Sequence, residues 1–357
     1  MKKILHIIDS LQIGGAEKLL CNTVAELPGF EHLIVTLFAG KDNALLPANA
    51  NYISLDAKKI TDIPLKRKSY KKILKGYKPD IIHSHLYFAT VFAKWLTPSS
   101  IPLIFTQHFE FSKNVEKWYY RFVDRVVSRQ AHHCIAVSNL VLQDYLHTTS
   151  FTGTTHIINN YIPEKYFNGI KKEMAGEKKL NLVSVGNIKP IKNQRFILDA
   201  FGFLKDMDVQ CDIYGEGFQR LELDKQAKDH DLHVFFKGEI SDSSEILKNY
   251  DLYIMPSLTE GFPLALFEAM ASGLPVIVSD IPAFHELLGA ECNYVSLSDP
   301  SSLQPIIKKY LSNPHLLKKD GEKMREIAKE KANKEIYLEK IVNLYKHLTN
   351  RRVFSSA

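Results

Sequence analysis

No apolar run in the chain approaches the ~20 residues needed to span a bilayer, which argues against a transmembrane helix. The start, Met1-Lys-Lys-Ile-Leu-His-Ile-Ile-Asp9, pairs a basic end with an apolar run. That run is too short for a signal peptide and no cleavage-type segment follows, so it reads as a first β-strand. Cysteine is scarce: Cys21, Cys134, Cys211 and Cys292 are scattered, with no C-x-x-C pair. A disulfide scaffold is thereby disfavoured, and reduced thiols in a cytosolic protein fit best. There is also no N-x-S/T acceptor site. The first glycine turn, Gly14-Gly15-Ala-Glu17, is not a G-x-G-x-x-G fingerprint, which weakens a nicotinamide-cofactor reading. What the chain does have is ordinary globular composition over 357 residues, 45% hydrophobic and 24% charged. That length and composition predict two domains.

The net charge of +6 is unevenly spread. Lys58, Lys59, Lys66, Arg67, Lys68, Lys71, Lys72, Lys75 and Lys78 share one segment in which Asp62 is the only acid before Asp80. Lys117, Trp118, Tyr119, Tyr120, Arg121 and Phe122 follow. A basic patch near aromatics can sit on anionic lipid headgroups, while the plain reading is a solvated helix face. No nucleic-acid-binding module is present.

Residues 252–275 organise the chain. Leu252-Tyr-Ile-Met-Pro256-Ser257 reads as a buried strand ending in a loop. Pro263 suits the first turn of a helix over 264–272, which Gly273 and Pro275 stop. Glu260 then lies in the loop and Glu268 about two turns into the helix. Between them are the free N–H groups of Leu264 and Ala265 and the positive end of the helix dipole. A phosphate fits that gap, and the two carboxylates can accept from hydroxyls on either side of it. A ligand with hydroxyls flanking phosphate describes a nucleotide sugar.

The E-x7-E spacing, with its Gly261-Phe262-Pro263 start and Met-Ala-Ser-Gly-Leu-Pro tail, resembles the retaining GT-B glycosyltransferases of the group 1 (family four) type. The resemblance implies that Glu260 holds donor-sugar hydroxyls and Glu268 the ribose. It adds that Gly14 and Gly15 lie near donor phosphate, and that His108, at the end of the predicted strand 103–108, binds the sugar or stabilises charge at the reaction centre. It also implies that the leaving phosphate, not His108, serves as base. The family pattern around Gly186 is Gly-Arg, a few residues, then Lys. Lys192 matches the Lys, but Asn187 stands where the Arg is expected, and it brings no charge. Lys189 and Arg195 are nearby candidates to replace it. Gly215, in the turn after the strand 209–214, is placed where the backbone approaches the nucleotide, and Lys237 in the region holding the base. Gly186, Gly261, Phe262, Leu264 and Ala265 complete the implied donor set.

His83 and His85 end a buried strand, where ligand crevices of open α/β sheets lie. Metal pairing, acceptor-side lining and structural packing all remain open for them. A strand offers only two ligands here and no acidic partner stands out, so no metal is expected. Asp206-Met-Asp208 precedes a strand and reads as a solvated turn.

Alternating strands and helices indicate an α/β protein of GT-B architecture, two Rossmann-like domains facing across a cleft. The expected division is 1–168 for an acceptor-side domain, 169–179 for a linker and 180–334 for a donor domain. Residues 335–357 form a helix that the resemblance packs back on the first domain. The implied function is retaining transfer of a sugar from a nucleotide-sugar, by family prior a UDP-sugar, to a glycan or lipid-linked acceptor in polysaccharide assembly. No cofactor is implied, and the location is cytoplasmic, peripheral at the inner membrane face. The competitors are a nucleotide-sugar epimerase of the same fold and a non-catalytic nucleotide-sugar-binding protein.

Overall fold

The computed structural model describes residues 1–12, 14–39, 46–114, 122–123, 126–127, 132–168 and 179–354. Residues 169–178 of the expected linker, and Lys117, Trp118, Tyr119, Tyr120 and Arg121 of the aromatic stretch, lie outside the described residues. The chain divides into two units, residues 1–160 with 335–357, and residues 161–334.

The first unit is built on a parallel sheet of β1 (Lys2–Ile8), β2 (Phe30–Phe38), β3 (Ala50–Ala57), β4 (Ile81–His85), β5 (Leu103–Gln107), β6 (His133–Ala136) and β7 (Thr154–Ile157). Its order is β3-β2-β1-β4-β5-β6-β7. The central strands β1 and β4 are almost wholly buried, as parallel strands covered on both faces must be. Ser138 caps the helix Asn139–Thr148 by accepting from Val141 N–H, a contribution of about 1 kcal/mol. Residues 335–357 belong to this unit through buried contacts: Tyr345 OH bonds His83 Nδ1 at 2.7 Å and Tyr337 OH bonds Thr23 Oγ1 at 3.0 Å.

The second unit holds β8 (Leu180–Val185), β9 (Val209–Tyr214), β10 (Val234–Gly238), β11 (Leu252–Met255), β12 (Val276–Ser279) and β13 (Asn293–Val295). Their order is β10-β9-β8-β11-β12-β13, again parallel. This unit begins at Tyr161, earlier than the expected boundary after residue 168. The reason is bonding: Ile162 N–H donates to Ala332 O, and Tyr166 OH meets Ser243 Oγ at 3.2 Å.

Several elements differ from the sequence reading. The first helix starts at Gly15 and ends at Ala25, so Gly15 is helical and not part of a turn. The helices Tyr87–Leu96 and Arg220–Asp229 and strand β13 have no counterpart in that reading. Residues Pro282–Leu288 form a helix with proline in its first turn. Strand β7 pairs with β6 only as far as Ile157.

Candidate active site

In the second sheet, β8 and β11 are neighbours although their connections run to opposite edges. Such a switch point opens a crevice at the carboxyl ends of the two strands, where ligands of doubly wound sheets bind. The loop after β8 carries Asn187 to Lys192 and the loop after β11 carries Ser257 to Glu260. Leu258 N–H donates to Ile191 O at 2.9 Å, which ties the loops together. Across them, Lys192 Nζ meets Glu260 Oε1 at 2.6 Å. Ser257 Oγ donates to the same oxygen at 2.7 Å. Glu260 is only 4% exposed, and a buried carboxylate requires such partners. The chain thus places a lysine and a carboxylate across the switch point.

The helix Leu264–Ala271 starts directly after this loop, with Pro263 at its N-cap and no side chain capping it. Leu264 and Ala265 are half-buried in its first turn, and Gly261 is buried before it. Glu268, half-buried, accepts from Ser243 Oγ at 2.7 Å. Ser243 in turn meets Tyr166, whose phenol is pushed up by burial and then by Glu268. Ser257, Ser243 and Tyr166 had no role in the sequence reading. Ser257 adjoined the recognised motif, but nothing local pointed to Ser243 or Tyr166, which come from distant segments.

The remaining candidates fare unequally. Phe262 is buried with its ring stacked on Phe267, centroids 4.3 Å apart, so its side chain is packed into the core. Gly186 and Gly215 pack against each other, since a Cβ on Gly215 would lie 2.0 Å from Gly186 O. The expected freedom of Gly215 to meet a nucleotide is therefore taken up by the neighbouring loop. Lys237 pairs with Asp212 Oδ2 at 3.4 Å, and that carboxylate also accepts from Tyr250 OH at 2.7 Å. Arg195 is engaged by Glu222 and Gln226 on the surface. Lys189 is exposed beside Pro190 on the same loop as Lys192. Asn187 is half-buried, and its carbonyl accepts from Gln194.

In the first unit, β1 and β4 form the corresponding switch point. His6 is the register partner of His83, and His85 Nδ1 lies 3.4 Å from His108 Nε2. Burial lowers His108 to about 4, so this imidazole is neutral near pH 7 and offers a hydrogen bond, not a charge. His83 and His85 are lowered well below the ordinary histidine value, first by burial and then by neighbouring histidines. Leu86, next to His85, has φ 65° and ψ 168°, a region normally left to glycine, where a side chain costs of order 1–3 kcal/mol. Asp9, just past β1, accepts from Ala89 N–H at 2.7 Å in the helix Tyr87–Leu96. Burial raises it to about 7, against the lowering effect of that bond. Gly14 is the N-cap of the helix Gly15–Ala25, in extended conformation, and the Glu17 carboxylate lies where a Gly14 side chain would go.

Two α/β units with parallel sheets and switch-point loops of this kind constitute a GT-B fold. A solved Anabaena protein, HepE in complex with UDP and glucose, superposes with a TM-score of 0.81 at 18% identity, over 97% of this chain and 100% of that one. Residues 168–334 match the family model described as "Glycosyl transferases group 1", and residues 13–165 match "Glycosyltransferase Family 4". Together these two matches span most of the sequence and support a group 1 glycosyltransferase. Among curated relatives, the O-antigen chain mannosyltransferase RfbU of Salmonella typhimurium is 32% identical over 54% of this chain, a match spanning only 55% of that protein. The capsular polysaccharide biosynthesis glycosyltransferase CapH of Staphylococcus aureus is 27% identical over 79% of this chain and 82% of its own length.

Proposed function

We propose that the protein transfers a sugar from a nucleotide-sugar donor, a UDP-sugar, to an acceptor hydroxyl of a surface polysaccharide or lipid-linked glycan, with retention of anomeric configuration. The observation that carries this reading is the Lys192–Glu260 pair across the β8/β11 switch point, beside the uncapped start of the helix Leu264–Ala271. A diphosphate arriving there meets the Lys192 ammonium, the first-turn amides of Leu264 and Ala265, and the helix dipole. These donors stabilise the charge that develops as the sugar–phosphate bond breaks. As Lys192 turns to the phosphate, Glu260 keeps Ser257 and regains acceptor capacity for sugar hydroxyls. Glu268, steadied by Ser243, takes hydroxyls on the nucleoside side. Asn187 supplies no charge, so Lys192 carries more of the phosphate than it would beside an arginine. The UDP and glucose of the HepE complex and the O-antigen and capsule roles of the relatives support the donor and acceptor classes.

The test is acceptor-dependent release of UDP from a panel of UDP-sugars, with NMR reading the anomeric configuration of the product. Transfer with retained configuration is expected. Nucleotide released equally without acceptor, or product of inverted configuration, would overturn the reading.

The same proposal places the exposed basic segment against anionic lipid. Lys58, Lys59, Lys68, Lys71, Lys72 and Lys75 are exposed there together with Ile60 and Leu65. Each basic residue near such a surface contributes about 1 kcal/mol. Among the described residues no helix is long and apolar enough to cross a membrane. Salt-sensitive cosedimentation with anionic but not neutral vesicles is expected, and equal partition to both would refute the contact.

A further inference from the structure

Along the sequence, His83 and His85 offer only two ligands from one strand, with no acidic partner beside them. Strand pairing supplies a third. His6 on β1 sits opposite His83 on β4, and His85 follows two residues along on the same face. One ring nitrogen from each of the three lies within 4.8 Å of the others, the one such group among the described residues. All three residues are buried, His6 at 1%, His83 at 2% and His85 at 5% exposure.

One of these histidines aims a bare nitrogen inward and another an unpartnered one. Leu27 O can only accept, so His32 Nε2, 2.9 Å away, carries a proton. Neutral His32 therefore presents an unprotonated Nδ1, and His6 Nε2 donates to it at 3.1 Å. Neutral His6 is left with a lone pair on Nδ1, which is buried without a hydrogen-bond partner. His85 Nε2 and Asn160 Oδ1 are buried and unpartnered as well. His6, His83, His85 and Asn160 line one small cavity. Unsatisfied buried polar atoms converging on a space cost free energy until a partner fills it, and the His6 lone pair calls for an electron-poor one.

We propose that His6, His83 and His85 bind a late first-row divalent cation such as Zn²⁺, with Asn160 Oδ1 or a water as fourth ligand. Neutral imidazoles are the ligands such ions prefer. Burial lowers all three histidines well below their ordinary range, so protons compete little for them near neutral pH. Zinc at about 2.0–2.1 Å from each nitrogen requires the nitrogens to close to roughly 3.3 Å, a ring rotation. His83 now bonds Tyr345 OH through Nδ1 and Thr106 Oγ1 through Nε2. It joins the site by releasing one hydroxyl and keeping the other, the outer hydrogen bond that metal-bound imidazoles use. His6 already has that bond, to His32.

The experiment treats full-length protein with chelator, then titrates Zn²⁺ by calorimetry and Co²⁺ by visible absorption. One ion per chain, tetrahedral cobalt bands and a raised melting temperature are expected. His85→Gln and His6→Gln should each weaken binding at least about tenfold. His133 and His156 form a partly exposed pair with nitrogens 3.4 Å apart, so His156→Ala is the control and should leave binding unchanged. Circular dichroism checks that the glutamine variants fold. If either does not, the cobalt spectrum of the chelator-treated wild-type chain decides: imidazole-ligated tetrahedral bands support the site, and none refute it. No binding in the wild type, or binding lost only in His156→Ala, would overturn the proposal and leave the cavity to water.

Discussion

At the residue scale, Lys192 has two duties that separate by experiment. It neutralises the buried Glu260 carboxylate, and in the proposed reaction it meets diphosphate. Lys192→Ala strands Glu260 with Ser257 alone, which should cost about 2 kcal/mol, below the usual toll for fully buried pairs because Lys192 is partly exposed. Melting of the second unit should fall by roughly 4–8 °C. Adding Glu260→Gln should recover most of that stability, because no uncompensated charge remains, but not donor affinity, expected to be about 10- to 100-fold weaker. Calorimetric melting beside donor titration distinguishes the two; recovery of both would remove Lys192 from the donor site. Gly215 makes a different demand. Its φ of 148° and the 2.0 Å approach of Gly186 O to the place of a Cβ leave no room for a side chain. Gly215→Ala should therefore lower the melting temperature by several degrees through displacement of the loop that carries Lys192, and an unchanged melt would contradict the packing described here.

At the element scale, what the sequence disclosed depended on where each element's determinants lie. The strand, loop and helix around Glu260 were legible because buried strand, Pro263 and Gly273 are local signals. The helix Tyr87–Leu96 was not, because its start is served by Asp9, some eighty residues earlier, and it has no side-chain cap of its own. Helix Arg220–Asp229 buries only Leu223 and Ala227, too narrow a stripe to read. The Ser243–Glu268 and Lys192–Glu260 contacts depend on sheet order, which a chain read end to end does not display. The histidine row has the same origin, since β1, β2, β4 and the loop after β5 each contribute. It also makes a pH prediction for the metal-free protein. His6, His32, His83, His85 and His108 all have lowered folded-state values. The unfolded chain takes up their protons first, so this stability is full above about pH 6.5 and is lost as pH falls toward about 4. Asp9, raised to about 7, acts oppositely: the stability from its bound proton is present at low pH and lost as pH rises through 7. Five groups outweigh one. Melting temperature should drop on acidification from pH 7 to 5, and a flat or rising profile would show that these histidines are not buried as described.

At the scale of the whole molecule, the last helix is a structural part of the first unit. Tyr337, Ile341, Leu344, Tyr345 and Leu348 are all buried, and at about 2 kcal/mol each they represent roughly 10 kcal/mol, comparable with the whole stability of a domain. Ending the chain after Lys334 should abolish protection of the first unit in hydrogen exchange while leaving β8 to β13 protected; retained protection in β1 and β4 would contradict this. The two family matches give the molecule its class, while the proposed donor and the handling of its phosphates rest on the candidate site in the second unit. The most direct test is a thermal-shift titration of the full chain with a panel of nucleotides and nucleotide sugars, repeated with Glu268→Ala. A ligand bound only by the native state must raise the melting temperature by mass action. Stabilisation by one class of nucleotide sugar, lost in Glu268→Ala, is the predicted result. No stabilisation by any nucleotide sugar at saturating concentration, or the same shift in wild type and variant, would contradict a donor site at the β8/β11 switch point.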